Sequence, residues 1–190
     1  MRLGISSYCL DREIENGILT LDEAIDWAAK YGAECMELVP FAFRFDDEVT
    51  GKIDLAKIAA VKKRAKDAGL ALVNYSVLAD FCKEGEDLEK EIARVCHHVD
   101  IAAELGVPRM RHDVTAFRRP LNQNTLKDFD RWLPVLAESA KRVTEHAKKL
   151  GVMTLIENHG FFANGCDRVE RILNAVNDDN YGLLLDTGNI

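Results

Sequence analysis

Two carboxylates carry the clearest chemical signal in the sequence. Glu157 ends an apolar run over 152–156, and Asp186 ends the next such run, over 183–185. Neighbouring parallel strands lie about 4.8 Å apart, so both carboxylates can converge on one cation. Oxygen ligands at an open site suit Mg²⁺ or Mn²⁺, or Zn²⁺ or Co²⁺ where a histidine joins them. The alternative is structural, with both carboxylates capping helix N-termini or binding loop amides.

Further polar residues follow the other apolar runs. Glu37 and Asn74 each end one run, Arg111 and His112 end a third, and His159 follows Glu157 by two residues. We expect His159 to bind a ligand hydroxyl or to cap its loop. Arg111 is suited to a ligand carboxylate or phosphate. Alternatively, it pairs with Asp113 or with Glu37.

Glu37, Asn74 and His112 are also candidates to bind the ligand, but each is equally compatible with a purely structural role. Glu37 is expected to orient Arg111 or a ligand hydroxyl, and Asn74 or Tyr75 to line the pocket. Tyr8 and Phe43 are candidates for an apolar wall, although aromatic residues near strand ends are often part of the core.

A glycine-punctuated repeat positions these residues. Gly32, Gly69 and Gly106 follow one another at intervals of 37 residues, and Gly151 comes 45 residues after Gly106. Each glycine precedes a short apolar run that ends in polar side chains. In parallel α/β folds, active sites lie at the carboxyl ends of the strands. The repeat therefore predicts an enzyme site built from several strand ends.

Alternating strands and helices are predicted along the whole chain. The first helix starts at a capping box formed by Thr20 and Glu23, and Pro134 is expected to kink or break a later helix. The predicted strands cover 3–9, 34–39, 70–77, 107–112, 152–157 and 182–186, and the predicted helices cover 20–31, 54–68, 87–105, 125–150 and 167–177.

The strands have nearly continuous apolar cores, which is typical of parallel strands covered on both faces. Strict alternation of strands and helices is compatible with two main architectures, a doubly wound sheet and a (β/α)8 barrel. The glycine-rich phosphate-binding motifs of nucleotide folds do not occur in the sequence. Because polar residues end nearly every strand, we predict a single-domain α/β fold over 1–190, a (β/α)8 TIM barrel. Only six βα units are present, so two more are expected after Ile190, or else a partner chain completes the sheet.

Composition narrows the class of protein. The net charge of −7 disfavours a nucleic-acid partner. No apolar stretch is long enough to span a membrane, and the N-terminus does not look like a signal peptide, so we expect a cytoplasmic protein with no membrane partner. A homo-oligomer is compatible with the sequence.

The segment Leu155–Gly160, followed by Gly182–Asn189, resembles the sugar-phosphate isomerase/epimerase family of xylose-isomerase-like barrels, as does Glu37 at its strand end. The resemblance implies one divalent metal ion (Mn, Mg, Zn or Co) held by Glu157, Asp186 and two further ligands beyond Ile190. It also implies that Glu157 acts as both ligand and base, and that Asn189, a candidate substrate-binding residue, stands where many members have histidine.

The implied activity is an isomerisation or epimerisation of a sugar, sugar phosphate or related polyol in carbohydrate metabolism. The metal would stabilise an enediolate while carboxylates move the proton. A dehydratase of the inosose type and a hydroxypyruvate isomerase stay open, because their metal ligands would be the same. An AP-endonuclease-like enzyme would need more histidines and a basic surface. A non-catalytic barrel fragment or binding module is the remaining alternative.

Overall fold

The computed structural model describes residues 2–189, and within them strands and helices alternate as predicted. The six strands are β1 (Gly4–Ser6), β2 (Cys35–Leu38), β3 (Ala71–Val77), β4 (Arg109–His112), β5 (Met153–Glu157) and β6 (Tyr181–Leu184). The six α-helices in this part of the chain are α1 (Asp11–Glu15), α2 (Leu21–Lys30), α3 (Leu55–Asp67), α4 (Gly85–Leu105), α5 (Leu126–Lys149) and α6 (Cys166–Val176). The α/β class expected from the sequence is confirmed.

The chain forms two compact units. The first contains Met1–Ser76 with Ile101–Pro108, and the second contains Val77–Asp100 with Arg109–Ile190. Within each unit the strands follow the order of the chain, with β1, β2 and β3 up to Ser76 in the first unit and β4, β5 and β6 in the second. These strands pair in parallel within each unit.

In the first unit, strand register brings polar residues to the same level. Ser6 of β1 lies opposite Glu37 of β2, and Glu37 lies opposite Asn74 of β3. The register shifts between Met36 and Glu37. Met36 and Leu38 are fully buried, whereas Glu37 is half-buried. Since side chains alternate along a strand, Glu37 occupies the opposite face from its two apolar neighbours.

In the second unit, β5 is paired on both sides. Arg111 of β4 lies opposite Leu155, and Glu157 lies opposite Leu184 of β6. The amphipathic helix α5 supplies much of the apolar packing, with Phe129, Leu136 and Val143 fully buried. The carboxyl ends of these strands are therefore the edge from which Arg111, Glu157 and Asp186 project.

Helix starts follow the local sequence, with two corrections. The Thr20–Glu23 capping box is present, and a second one joins Thr125 to Asp128. Helix α5 runs continuously through Pro134, so the predicted break is wrong. The predicted first strand was too long, because residues from Ser7 onward turn into a 3-10 helix and then α1.

A buried carboxylate holds the segment that follows β3. Glu91 accepts hydrogen bonds from the Asp80 backbone N–H at 2.9 Å, from Lys83 Nζ at 3.2 Å and from Arg94 Nη2 at 2.8 Å. Arg94 also donates to the Leu78 carbonyl oxygen at 2.6 Å. Burial alone would raise the pKa of Glu91, but the Arg94 and Asp80 hydrogen bonds outweigh it and lower the pKa to about 2. This cluster fixes the segment 78–83 against α4.

No helix described within residues 2–189 is long and apolar enough to cross a membrane.

Candidate active site

A buried arginine organises the polar side chains of the second unit. Arg111 is 5% exposed, and its Nη2 lies 2.9 Å from Oδ1 of Asp113. Its Nε lies 2.5 Å from Oε2 of Glu157, as an ion pair without hydrogen-bond geometry. A buried cation is tolerated only when it is paired. Arg111 therefore fixes both carboxylates, and of the two structural partners expected from the sequence, Asp113 is the one in contact.

Glu157 has the environment of a proton-accepting group. Burial raises the pKa of its carboxyl group. The charges of Arg111 and His159 oppose this rise, while those of Asp113 and Asp186 add to it. A carboxyl group whose pKa lies above its usual range is closer to the value that proton transfer near neutral pH requires. A group perturbed in this way at strand ends marks a candidate active site.

The imidazole of His159 has two competing partners. Its Nδ1 lies 2.9 Å from Arg111 Nη2 and 3.1 Å from Asp113 Oδ1. Without a hydrogen, Nδ1 accepts from the arginine, whereas with one it donates to the aspartate, so the two contacts require different placements of the ring hydrogen. Both contacts use Nδ1, which leaves Nε2 as the ring edge for a ligand.

The loop after β5 holds the His159 ring against Phe117. The two ring centroids are 4.6 Å apart. Gly160 has a positive φ of 74°, and a Cβ there would lie 2.8 Å from the Phe117 carbonyl oxygen. That oxygen accepts a hydrogen bond from the Phe161 N–H at 3.1 Å. Glycine is required at 160 because any side chain would push the loop away from Phe117.

Asp186 is positioned by Asn158, a residue that the sequence reasoning missed. The Asn158 side chain donates to the Asp186 carbonyl oxygen at 2.8 Å and accepts from the Asp186 N–H at 2.7 Å. The Asp186 carboxylate accepts from the Gly188 N–H at 2.7 Å. The only sequence signal for Asn158 was its place between Glu157 and His159, at the end of a buried strand.

The side-chain amides of Asn189 and Asn164 add two hydrogen bonds to the contact between Asn158 and Asp186. Asn189 donates from Nδ2 to the Asn158 carbonyl oxygen at 3.0 Å, and its own carbonyl oxygen accepts from Asn164 Nδ2 at 2.8 Å. Asn189 thus joins the loop after β6 to the loop after β5. Its predicted contact with a substrate stays a prediction.

His112 lies in the core of the second unit. Its ring is fully buried, 5.8 Å from Phe81 and 6.0 Å from Tyr181 between centroids. Nδ1 contacts the Asp113 carbonyl oxygen at 2.9 Å. Burial lowers the pKa of His112 to about 4. This placement gives His112 a packing role, and its predicted contact with a substrate stays a prediction.

In the first unit, polar residues cluster around Glu37. Glu37 accepts hydrogen bonds from Asn74 and Ser76, and Asn74 and Ser76 are buried. Tyr8 packs edge-on against Phe41 with 5.9 Å between centroids, and both rings are exposed. Phe43, the expected wall residue, is instead buried and contacts Phe45.

Glu157 and Asp186 are the residues that could contribute ligands to a metal ion. Within 2–189, no group of three or more His, Cys, Asp or Glu side chains is placed to hold a metal ion. Glu157 and Asp186 nevertheless interact electrostatically, while Glu157 and Asp113 both pair with the Arg111 guanidinium, so three carboxylates accompany one arginine. Asp113 Oδ2 is buried and has no partner among these residues. This excess of negative charge fits a cation held by Glu157 and Asp186 together with ligands from elsewhere.

Comparison with known proteins now decides the family. A family model described as xylose isomerase-like TIM barrel matches residues 25–190. The chain belongs to the xylose isomerase-like TIM barrel family. No curated protein sequence matches the chain. The fold and the family resemblance expected from the sequence are confirmed.

Solved structures share this fold. D-psicose 3-epimerase from Clostridium cellulolyticum H10 matches 100% of this chain with a TM-score of 0.77 and 19% identity. The probable 3-DHS dehydratase AsbF from Bacillus anthracis matches 100% of it with a TM-score of 0.74 and 14% identity. A sugar phosphate isomerase/epimerase from Parabacteroides distasonis matches 98% of it with a TM-score of 0.67 and 22% identity.

The chain spans 64% of the length of the epimerase and of the dehydratase, and 65% of the length of the sugar phosphate isomerase/epimerase. At these identities the likeness concerns the fold. An enzyme of the superfamily is consistent with it, whereas the substrate and the reaction need evidence from the site itself.

Proposed function

We propose that the protein is a divalent-metal-dependent isomerase or epimerase that moves a proton on a sugar, a sugar phosphate or a related polyol. The observation that carries the proposal is Glu157, a partly buried carboxyl group with a raised pKa at the end of β5, ion-paired with Arg111. Proton transfer next to a carbonyl group needs a base of this kind, held in place before the substrate arrives.

Each residue has a separate task in this proposal. Glu157 takes the proton from the carbon beside the substrate carbonyl. Arg111 holds the Glu157 carboxylate in one orientation and lowers its basicity. His159, with Nδ1 occupied by Arg111 or Asp113, offers Nε2 to a substrate hydroxyl.

Glu157 and Asp186 would hold the metal ion. When bound, the metal supplies Lewis-acid stabilisation of negative charge on the substrate oxygens. Asn158 holds the Asp186 backbone in place for this task through two hydrogen bonds. Further ligands would be needed to complete its coordination.

The test compares the whole protein with its Glu157→Gln variant. Incubation with D-fructose and Mn²⁺, followed by chromatography of the sugars, should show a new ketohexose or aldohexose in the wild type alone. Solvent deuterium should enter the product, because the proton passes through a carboxyl group that exchanges with water. Circular dichroism must show that the variant is folded. Unchanged turnover in the variant would remove Glu157 from the chemistry.

Dehydration is the second candidate, and His159 is the observation that favours it. Loss of water needs a base beside the carbonyl and an acid at the leaving hydroxyl, and Glu157 and His159 both contact Arg111. Proton NMR of the reaction mixture separates the two candidates. An isomerase conserves the mass of the sugar, whereas a dehydratase yields an unsaturated or deoxy product together with water.

A further inference from the structure

The loop after β5 folds back on itself and brings two asparagine side chains together. His159 and Ala163 form an isolated antiparallel bridge within this loop. Asn158 precedes one residue of the bridge and Asn164 follows the other, so the two asparagines face each other. Nδ2 of Asn158 lies 3.5 Å from Oδ1 of Asn164. The loop therefore places two neighbouring amides against the segment that follows β6.

Backbone groups fix the orientation of each amide. Oδ1 of Asn158 accepts from the Asp186 N–H at 2.7 Å, and its Nδ2 donates to the Asp186 carbonyl oxygen at 2.8 Å. Nδ2 of Asn189 donates to the Asn158 carbonyl oxygen at 3.0 Å, and Nδ2 of Asn164 donates to the Asn189 carbonyl oxygen at 2.8 Å. A backbone N–H can only donate and a carbonyl oxygen can only accept, so each amide has one possible orientation. The three asparagines thus form a closed ring of contacts, and Asp186 is attached to it.

This ring holds both ends of the turn that carries the Asp186 carboxylate. Oδ1 of Asp186 accepts from the Gly188 N–H at 2.7 Å, and a Cβ at Gly188 would lie 3.1 Å from that oxygen. Asn189 ends the short 3-10 helix that follows Asp186. Asn158 therefore holds the first residue of the turn, and Asn164 holds the last.

The amides restrain Asp186 without adding charge. Each of them is neutral, so none attracts the carboxylate away from a cation as a lysine or an arginine at the same place would. Hydrogen-bond partners of this kind orient a metal ligand and raise the affinity for the metal. A ligand that is held before the ion arrives also loses little conformational freedom on binding.

We propose that Asn164 and Asn189 are positioning residues for metal binding at Asp186. They join the segment after β6 to the loop after β5, and so hold the turn around the Asp186 carboxylate closed before the ion binds. This inference rests on the proposed function, because Asp186 is given to the metal ion there.

The experiment measures metal affinity in matched variants. Mn²⁺ is titrated by isothermal calorimetry into the metal-free whole protein, as wild type, Asn164→Ala and Asn180→Ala. Asn180 is the control because it is half-buried like Asn164, and its Nδ2 also donates to a carbonyl oxygen at 2.8 Å, that of Val152. It lies just before β6, at the opposite end of the strand. We expect Asn164→Ala alone to weaken Mn²⁺ binding, by about tenfold, while both variants lower the midpoint of urea denaturation to a similar extent.

A second readout follows the carboxylate without any metal. The Gly188 N–H donates to Oδ1 of Asp186, so its exchange with solvent, measured by NMR, reports how often that contact opens. Exchange should be faster in Asn164→Ala than in the wild type and unchanged in Asn180→Ala. Asn189→Ala, which removes the hydrogen bond to the Asn158 carbonyl oxygen, should change Mn²⁺ affinity and exchange in the same direction as Asn164→Ala.

Three results would overturn the inference. They are an unchanged Mn²⁺ affinity in Asn164→Ala, an equal loss of affinity in Asn180→Ala, and an unchanged exchange rate of the Gly188 N–H in Asn164→Ala. The first two would make Asn164 a merely structural residue.

Failure of this inference is distinguishable from failure of the proposed function. Mn²⁺ binding and Glu157-dependent turnover that are the same in Asn164→Ala as in the control would keep the function and reject the positioning role. Weaker Mn²⁺ binding in Asn164→Ala, with turnover unaffected by Glu157→Gln, would keep the positioning role and reject the proposed reaction. A wild type that binds no Mn²⁺ would reject the metal site and this inference together.

Discussion

Replacing Glu91 by glutamine should remove one of the larger electrostatic contributions to the stability of the second unit. The pKa of Glu91 falls from 4.5 to about 2 in the folded chain, which corresponds to about 3 kcal/mol of stability at neutral pH. Because the folded pKa is lowered, this contribution is complete above the unfolded pKa and is lost as the pH falls towards 2. It should shrink to about 1.4 kcal/mol at pH 3. Urea denaturation of both proteins at pH 7 and at pH 3 measures this.

The matched control is Glu86→Gln, on the same helix. Glu86 pairs with Lys90 at 2.8 Å, but 81% of its side chain is exposed, so its loss should cost little. A difference between wild type and Glu91→Gln below about 1 kcal/mol at pH 7 would refute the reasoning. So would a difference that does not narrow on acidification, since it would come from packing rather than from the charge.

Three further outcomes are expected. Asn158→Ala should lower the free energy of unfolding by about 2 kcal/mol, because it removes both hydrogen bonds to the Asp186 backbone, and denaturation would measure this loss. The variant should also lower kcat more than it changes KM, which steady-state kinetics would show. Gly160→Ala should destabilise by about 1–3 kcal/mol in urea, since its Cβ meets the Phe117 carbonyl; a neutral effect would contradict the positive φ found there. Between pH 6.5 and about 4, the free energy of unfolding should fall by up to about 3 kcal/mol, because His112 binds a proton in the unfolded chain but not in the folded chain, where its ring is buried. A His112→Gln variant should show a weaker dependence of stability on pH.

Helix starts and strand positions could be predicted because they depend on residues close in sequence. The Thr20–Glu23 capping box and the glycines that end the helices act over one turn, and their effect is visible in the sequence itself. The first strand was predicted too long because residues 7–9 contain no glycine or proline that would mark its end. Whether such a segment stays extended depends on its neighbours, as the Ser7 Oγ contact with the Val39 N–H at 2.8 Å illustrates.

The candidate site was predicted only in its outline. Glu157 and Asp186 could be found because they end apolar runs in consecutive βα units. Asn158 and Ser76 could not be found, since their roles depend on hydrogen bonds to residues 28 and 39 positions away. His112 sits beside Arg111 in the sequence, yet alternation along β4 sends the two side chains to opposite faces, one into the charged cluster and one into the core.

The sequence by itself determined the periodicity, and therefore the α/β class and the strand ends at which ionisable residues collect. The tertiary structure alone decided which charges meet. Arg111 pairs with Glu157 and Asp113 rather than with Glu37, and Glu37 binds Asn74 and Ser76 instead. The physical reason is that burial and register set the partners of a charge, and neither can be read from a single strand.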